Sequence, residues 1–202
     1  LTLISESITP WENDLVSHDA TAKEYVVINS TAGHLKEAIK AAGKDYIKLK
    51  NLKITGQINK ADLDFMREKM DMLQALNLKN VKIDALEEYK EDEIPSEAFI
   101  KKSSLTNLVL PDTLRAINDN AFNSCSSLSG SLIIPVGVEE ISEGAFWGCN
   151  SYNGSLSLPS TLRRIGDIKG YNSVWDGPFA GCRFACELVL PENLEILGVG
   201  AF

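Results

Sequence analysis

The chain has 202 residues, of which 44% are hydrophobic and 24% are charged, and its formal net charge is −8 at pH 7. This length and composition are typical of a soluble globular protein with one substantial domain, or with a small cap followed by an array. The acidic balance excludes a basic surface for nucleic-acid phosphates and disfavours binding to an anionic membrane. No apolar run approaches the length of about 18 residues that a membrane-spanning helix requires.

The first regular segment is a predicted strand at residues 25–28, followed by a predicted helix at residues 35–42. Apolar residues of the helix recur at helical spacing and form one face. Ser30 and Thr31 are candidate caps for its N-terminus, and Gly43 is a suitable residue to end it.

Two later segments share the spacing of a short strand with one buried face. They are Leu49-x-x-Leu52-x-Ile54 and Leu73-x-x-Leu76-x-Leu78, and 24 residues separate Ile54 from Leu78. Between them, Asn59 and Asp62 match a capping box at the start of a predicted helix, whose apolar residues continue to Leu73.

The next segment, residues 84–93, is an insertion rich in acidic side chains. It contributes Glu87, Glu88, Glu91, Asp92 and Glu93. Oxygen ligands suit calcium, but the run lacks the spaced D-x-D-x-D-G register of a calcium loop. We therefore interpret it as a solvated surface loop.

From Leu108 onward, the motif L-x-L-P repeats with a constant period. Pro111, Pro135 and Pro159 are each 24 residues apart, and Pro191 follows after an insertion at residues 166–177. The apolar pair before each proline predicts a short strand, which ends there because proline has no backbone donor. A period in the twenties with this pattern predicts a leucine-rich solenoid of stacked turns.

Two successive turns carry an Ala-Phe pair followed three residues later by a cysteine, and Pro178-Phe179 precedes Cys182 in the same way. The segment Ile117-Asn-Asp-Asn-Ala-Phe-Asn-Ser-Cys125 is followed by Ile141-Ser-Glu-Gly-Ala-Phe-Trp-Gly-Cys149. The full repeat, L-x-x-L-x-L-P-x-x-L-x-x-I-x-x-x-A-F-x-x-C, resembles that of the BspA-like leucine-rich repeat family from about Ser96 to Phe202. Residues 25–86 also resemble the part that often precedes such repeats. The resemblance implies a secreted or surface protein of an anaerobic bacterium with a role in adhesion.

These observations predict an α/β fold, namely a right-handed leucine-rich-repeat solenoid of short parallel strands with an N-terminal α/β cap. We divide the chain into a lead-in or linker at residues 1–24, a cap with the first helix-bearing turns at 25–92, and the repeats at 93–202. The sequence begins with Leu1 rather than methionine and ends within a repeat. We therefore expect the natural start, with any signal peptide, to lie upstream and the array to continue beyond residue 202.

Three of the four cysteines occupy one repeat position, which favours a buried column of free thiols over disulfides. Side chains at equivalent positions of adjacent turns are parallel, so Cys125, Cys149 and Cys182 do not point at one another as a bridge requires. Cys182 and Cys186 form C-x-x-x-C, and a local pair between them is the alternative. A zinc site would need further ligands, and both histidines are distant in sequence.

Nothing in the sequence matches a catalytic site. His18 and His34 stand in or near the N-terminal segment, outside any nucleophile motif, and we interpret them as surface or capping residues. Phosphate loops, HExxH and GxSxG motifs are missing from the sequence, and Gly198-x-Gly200 belongs to a repeat turn. The sequence thus predicts a protein that is no enzyme and needs no metal or cofactor.

The candidate contact site is aromatic. Trp147 occupies a repeat position that Asn123 and Ala180 fill in the neighbouring turns, so the fold does not require an indole there. The ligand-contact hypothesis adds residues of the following insertion with acidic side chains at the rim: Tyr171, Trp175, Asp167 and Asp176. Exposed aromatic side chains on a rigid surface suit contacts with proteins or sugars. The alternative is that the insertion buries its aromatic rings against its own turn.

The predicted function is an extracellular or cell-surface binding module that contacts a protein or glycan on a host or neighbouring cell. We expect no nucleic-acid partner and no transmembrane segment in this sequence, and a lipid anchor upstream is compatible with the prediction. A structural spacer in a longer surface protein and an accessory domain of a hydrolase are the alternatives.

Overall fold

Short parallel strands and two helices make up the regular structure. The computed structural model describes residues 25–167, 177–185 and 187–202; the predicted lead-in at 1–24 and His18 lie outside them. In chain order the elements are β1 (Val26–Ser30), α1 (Leu35–Ala41), a 3-10 helix (Tyr46–Lys48), β2 (Asn51–Ile58), α2 (Lys60–Lys69), β3 (Ala75–Ile83), β4 (Glu93–Ile94), β5 (Asn107–Val109), β6 (Ala116–Ile117), β7 (Gly130–Ile133), β8 (Glu140–Ile141), β9 (Tyr152–Ser157), β10 (Arg164–Ile165) and β11 (Ile196–Leu197).

The N-terminal part contains both predicted helices, but the first is capped differently from the prediction. His34 is the N-cap residue of α1 and its side chain does not cap the helix, while the Ser30 hydroxyl donates to the Thr31 carbonyl at 3.1 Å. Instead, the Asp62 carboxylate accepts from the backbone N–H of Gly33 at 2.7 Å and of Leu35 at 2.9 Å. Ser30 and Thr31 are therefore wrong as caps, because a buried carboxylate from α2 already satisfies these donors.

The Asp62 carboxylate also caps its own helix, α2. The predicted capping box is confirmed: the Asn59 side chain accepts from the backbone N–H of Ala61 at 3.0 Å, and Asp62 accepts from the N–H of Asn59 at 3.1 Å. One carboxylate thus joins the starts of α1 and α2, which fixes the two helices relative to each other. Gly43 follows α1 with φ +68°, as the sequence predicts.

The strands form two main parallel sheets on different sides of the turns. One sheet has the order β1-β2-β3-β5, and β7 pairs with β9 farther along the array. The other has the order β4-β6-β8-β10-β11, one two-residue strand from each turn. Strands β5, β7 and β9 end before Pro111, Pro135 and Pro159, as predicted. Consecutive turns therefore stack side by side, and the leucine-rich-repeat solenoid predicted from the period is confirmed.

The last L-x-L pair differs from the prediction. No strand forms at Leu188–Leu190 in the described part of the chain, and both residues are 41% exposed, whereas Leu132 and Ile134 are 2% exposed. The structure describes a neighbouring turn on both sides of Leu132 and Ile134, but on only one side of Leu188 and Leu190. A strand of this length is stabilised mainly by its neighbours, so the pattern alone does not produce one.

A stack of phenylalanine rings runs through the core. It consists of the repeat phenylalanines and the ring that precedes them: Phe99, Phe122, Phe146, Phe179 and Phe202. Successive ring centroids are 5.4, 5.1, 5.6 and 5.4 Å apart, with interplanar angles of 5–11°. This phenylalanine stack is the hydrophobic centre of the repeats, since one ring from each turn packs on its copies above and below.

The predicted thiol column lies beside this stack. Cys125 and Cys149 are buried and Cys182 is half-buried, and all three thiols are free. Each thiol donates to the carbonyl of the previous turn's phenylalanine: Cys125 to Phe99 at 3.0 Å, Cys149 to Phe122 at 3.1 Å, and Cys182 to Phe146 at 3.3 Å. Cys186 lies outside the described residues.

In the first of the repeats, a lysine stands at the position that holds a cysteine in later turns. Lys102 follows Phe99 by three residues, as each cysteine follows its phenylalanine, and it is only 6% exposed. Its Nζ donates to the Arg67 carbonyl in the last turn of α2 at 2.9 Å. Burial lowers the pKa of Lys102, and the Asp71 carboxylate opposes that effect. A long side chain is needed here because the preceding turn ends in a helix rather than in a repeat phenylalanine.

The thiols should be unreactive in the folded protein. Burial raises the pKa of Cys125 and of Cys182 to about 12, and burial with the neighbouring thiols also raises the pKa of Cys149. The thiolate is the nucleophile, so almost none is present at pH 8. We expect Ellman's reagent to label these three residues only after denaturant is added, with Cys186→Ala removing the fourth thiol from the measurement. Rapid native labelling of all three would contradict a buried column.

Opposite charges alternate from turn to turn at and beside the strands of the second sheet. Arg115 lies 3.6 Å from Glu139, Arg164 lies 3.5 Å from Glu140, and Arg163 contacts Glu195. Strand register pairs Glu140 with Arg164 between β8 and β10. Backbone hydrogen bonds join the other four residues from turn to turn, in the order Arg115, Glu139, Arg163 and Glu195. These six residues form a charge ladder, and because their side chains are 41–66% exposed it specifies register more than it stabilises.

Reversing one charge of the ladder should have a small, salt-dependent effect. Glu139→Lys places three cations in adjacent turns, and we expect it to lower the free energy of unfolding by about 0.2–1 kcal/mol at low salt. Since about 1 M salt reduces the screening length to about 3 Å, the loss should nearly vanish there. Urea titrations at both salt concentrations measure it. Glu139→Gln is the control, and a loss that is equal at both salt concentrations would mean that packing, not charge, is responsible.

Candidate functional site

The turn that carries Trp147 is fixed by hydrogen bonds on both sides. The Trp147 carbonyl accepts from the Ser124 N–H of the preceding turn at 2.7 Å, and its own N–H donates to Gly144 at 3.0 Å. Phe146 and Gly148, on either side of Trp147, donate their N–H groups to the next turn, to Pro178 at 2.7 Å and Ala180 at 2.9 Å. The tryptophan is half-buried, and its backbone is held by hydrogen bonds to both neighbouring turns.

The neighbours of Trp147 are small or carry amides. Asn123 precedes it and Ala180 follows it at the same repeat position. Asn123 Nδ2 donates to Asn120 Oδ1 at 2.7 Å, and Ser124 Oγ donates to Asn123 Oδ1 at 2.7 Å. These three residues, Asn120, Asn123 and Ser124, form an amide cluster that was not predicted from the sequence. Its signal is the Asn-x-x-Asn-Ser run in the turn immediately before the indole.

Asp167 is exposed and lies on the turn that follows β10. Its backbone N–H donates to Glu143 Oε2 at 3.2 Å. Glu143 occupies the equivalent position of the preceding turn and stands four residues before Trp147. Asp167 and Trp147 therefore belong to neighbouring turns but to different repeat positions. The other three predicted contact residues, Tyr171, Trp175 and Asp176, lie outside the described residues.

The acidic insertion makes contacts within the molecule. Lys82 lies 2.9 Å from Glu91, and Lys60 lies 3.6 Å from Glu87. Asp92 Oδ1 accepts from the Thr113 hydroxyl at 2.7 Å. Across residues 25–167, 177–185 and 187–202, no group of three or more His, Cys, Asp or Glu side chains is arranged to hold a metal ion.

Two shallow hollows open on the surface. One, of about 220 Å³, lies between Glu139, Arg163 and Asn193 of successive turns. The other, of about 240 Å³, lies where Arg67 and Lys102 meet. Three of their charged groups have partners within the molecule: Arg163 contacts Glu195, Arg67 lies 2.9 Å from Asp64, and Lys102 bonds the end of α2.

Within the described residues, no helix is long and apolar enough to cross a membrane.

Comparison with known proteins identifies the repeats. A family model described as "BspA type Leucine rich repeat region" matches residues 92–202 in six copies, which is 111 of the 202 residues. None of the curated proteins matches the chain.

Two solved structures are similar. A leucine-rich repeat protein from Bacteroides ovatus ATCC 8483 is 26% identical over 60% of this chain and 34% of its own, with a TM-score of 0.42. A leucine rich cell surface protein from Faecalibacterium prausnitzii A2-165 is 20% identical over 93% of this chain and 42% of its own, with a TM-score of 0.47. The chain thus spans less than half the length of either protein.

Proposed function

The chain belongs to the BspA-type leucine-rich repeat family, and from that premise we propose that it is a non-catalytic binding module that contacts a partner through Trp147. The proposed contact surface extends from Trp147 toward the following insertion, with Tyr171 and Trp175 as further aromatic contacts and Asp167 and Asp176 at the rim. The partner is a protein or glycan on a host or neighbouring cell. Location at the cell surface or outside the cell is part of the proposal, as the family resemblance implies.

The observation that supports this surface best is the unusual residue at position 147. The equivalent residues Asn123 and Ala180 sit in turns with the same backbone hydrogen bonds, so packing does not require an indole. A partly exposed tryptophan offers an amphipathic contact area with little loss of side-chain entropy on binding. The rigid turn beneath it lowers the cost of binding further, because no loop has to be ordered.

The division of the chain supports the same proposal. We propose that residues 25–92 form a cap with helix-bearing first turns and that residues 93–202 present the repeats. β3 pairs with β5, so the cap and the repeats share one sheet. A continuous sheet would hold the contact surface at a constant distance from the cap.

Removing the indole should abolish binding without unfolding the protein. We expect Trp147→Ala to eliminate adhesion of beads coated with the chain to epithelial or bacterial cells. The melting temperature should fall less than for a fully buried ring such as Phe146, because Trp147 is only partly buried. Trp147→Ala combined with Trp175→Ala should behave in the same way.

The control is Val136→Ala, which removes a side chain that is 75% exposed in the turn after β7. This variant should adhere as the original chain does. A large drop in melting temperature for Trp147→Ala would instead identify the indole as part of the core. Full adhesion by a stable Trp147→Ala variant would locate the contact elsewhere.

A further inference from the structure

The turns of the solenoid are joined unevenly at one junction, which lies between the turn of Leu108 and the turn of Leu132. On the side of the second sheet and of the phenylalanine stack the two turns are bonded, whereas the side that carries the L-x-L-P strands is split. We propose that this junction is a hinge, about which the repeats from Leu132 onward tilt relative to the cap and the first repeat turn. The hinge belongs to the scaffold and does not depend on what Trp147 contacts.

The split lies between β5 and β7. β5 pairs with β3 and β7 pairs with β9, and in the described part of the chain no ladder joins β5 to β7. A backbone bond from the Ser129 N–H to the Thr106 carbonyl, 3.1 Å long, connects the two turns where these strands begin. Leu132 in β7 is still 2% exposed, so tilting is limited by the apolar surface that it would uncover.

The sequence explains why the ladder stops at this junction. In each turn a buried apolar residue precedes the first apolar residue of the L-x-L pair, and the core anchors it because it is only 0–8% exposed. The spacing of this pair is three positions in the turns of β2, β3 and β5 but four positions in the turns of β7 and β9: Leu49/Leu52, Leu73/Leu76, Leu105/Leu108, Leu128/Leu132 and Tyr152/Leu156. One extra residue shifts the backbone donors and acceptors relative to a shorter neighbour. Strands of equal spacing therefore pair, and the ladder ends where the spacing changes.

A side-chain contact between turns is also missing at the hinge junction. In the turns on either side, the residue two positions after the repeat proline bonds the turn before it. The Thr113 hydroxyl donates to the Asp92 carboxylate at 2.7 Å, and the Thr161 hydroxyl donates to the Val138 carbonyl at 2.9 Å. At the hinge junction this residue is Gly137, which has no side chain to bond with. The junction is therefore held less firmly at its proline corner than the junctions beside it.

The other side of the hinge junction is bonded from turn to turn. β6 pairs with β8 in the second sheet. In the phenylalanine stack, Phe122 and Phe146 are 5.1 Å apart, and the Cys149 thiol donates to the Phe122 carbonyl at 3.1 Å. These contacts place the hinge axis along β6, β8 and the stack, because the split side can open while the bonded side stays together. Tilting changes the angle between the cap and the surface of Trp147, while the second sheet keeps their separation.

Hydrogen exchange of the backbone amides, followed by NMR on the full 202-residue chain, tests the split. Successive amides of a strand point alternately to its two neighbours, so β7 has amides that face β5 without a ladder partner. We expect these amides to exchange at least about tenfold faster than those of residues 75–77 in β3, which pairs with β2 and with β5. If all amides of β7 were as slow as those of β3, the ladder would be continuous in solution and the hinge would be overturned.

Distances between pairs of spin labels test the tilt itself. Lys53→Cys with Ser157→Cys spans the split side from β2 to β9, and Glu93→Cys with Arg164→Cys spans the continuous second sheet from β4 to β10. Cys186→Ala removes the thiol that lies outside the buried column. We expect electron paramagnetic resonance to give a distance distribution at least about twice as broad for the first pair as for the second. Equally narrow distributions would show that the junction is rigid.

A one-residue insertion tests the cause of the split. A glycine inserted after Thr106 lengthens the spacing from Leu105 to Leu108 to four positions, which is the spacing in the turn of β7. We expect β5 then to pair with β7, so that the fast amides of β7 become slow and the amides of β3 that face β5 become fast. A glycine inserted after Gly43, between α1 and the 3-10 helix, is the control and should change neither. Fast amides of β7 in the folded Thr106 insertion variant would overturn the spacing as the cause, and the exchange and distance measurements decide the hinge independently of this variant.

Discussion

Replacing Phe146 with alanine should lower the free energy of unfolding by about 3–5 kcal/mol, one of the two largest effects expected for a single substitution here. The ring is fully buried at the middle of the phenylalanine stack, 5.1 Å from Phe122 and 5.6 Å from Phe179. Its removal leaves a cavity and breaks two ring contacts, each of which adds about 0.5–1.5 kcal/mol beyond burial. Urea unfolding followed by circular dichroism measures the loss.

Phe202→Ala is the matched control. Phe202 is 46% exposed and stacks on Phe179 alone, so its loss should be smaller by a factor of two or more. Because each turn contacts only its neighbours, Phe146→Ala should also separate the unfolding of the turns on its two sides and broaden the transition. Equal losses for both variants would show that the stack does not depend on its central ring.

Gly177→Ala should be the other strongly destabilising change and should lower the free energy of unfolding by about 3 kcal/mol or more. A Cβ at this position would lie 1.8 Å from the Gly200 carbonyl oxygen and 2.3 Å from its carbon. Those atoms belong to the backbone of the next turn and cannot rotate away. The turns would have to move apart, which strains the nearby bond from the Phe179 N–H to the Ala201 carbonyl, 2.9 Å long. Thermal unfolding with and without the substitution measures the effect.

Gly130→Ala separates close approach from backbone strain. Gly130 has a φ of +80°, but a Cβ there would meet nothing within 4 Å. Gly130→Ala should therefore lower the free energy of unfolding by only about 1–2 kcal/mol, the cost of placing a side chain in the left-handed region. If Gly177→Ala were no more harmful than this control, the two turns would be free to separate at Gly177.

The period of 24 residues predicted the repeats because stacking shows each core position several times in the sequence. The same strand position recurs at Leu108, Leu132 and Leu156, so each occurrence supports the strand assignment of the others. A single strand offers no such support. The two-residue strands of the second sheet were not predicted, since two residues are too short for any periodicity. Likewise, the capping of α1 by Asp62 was hidden, because 27 residues separate the donor at Leu35 from its acceptor.

The candidate site was predictable where it departs from the repeat. Trp147 was identified because Asn123 and Ala180 fill its repeat position in the two neighbouring turns. Asn123 was not predicted as a site residue. In the sequence it was only the counterpart that made Trp147 unusual. Its hydrogen bonds to Asn120 and Ser124 depend on the shape of the turn, which the residue types alone do not reveal.

Lys102 occupies the repeat position that holds a cysteine in later turns. This difference determines where turns can be added to the array or removed from it. A turn ending in cysteine finds its acceptor on a copy of itself, so tandem duplication or deletion of 24-residue units downstream preserves every thiol contact. Lys102 finds its acceptor only at the end of α2. A duplicated turn carrying it would place an ammonium group in the space of a thiol, where a buried charge lacks compensation. Gene duplication can therefore lengthen the array from the turn of Cys125 onward, while the turn of Lys102 remains a single copy.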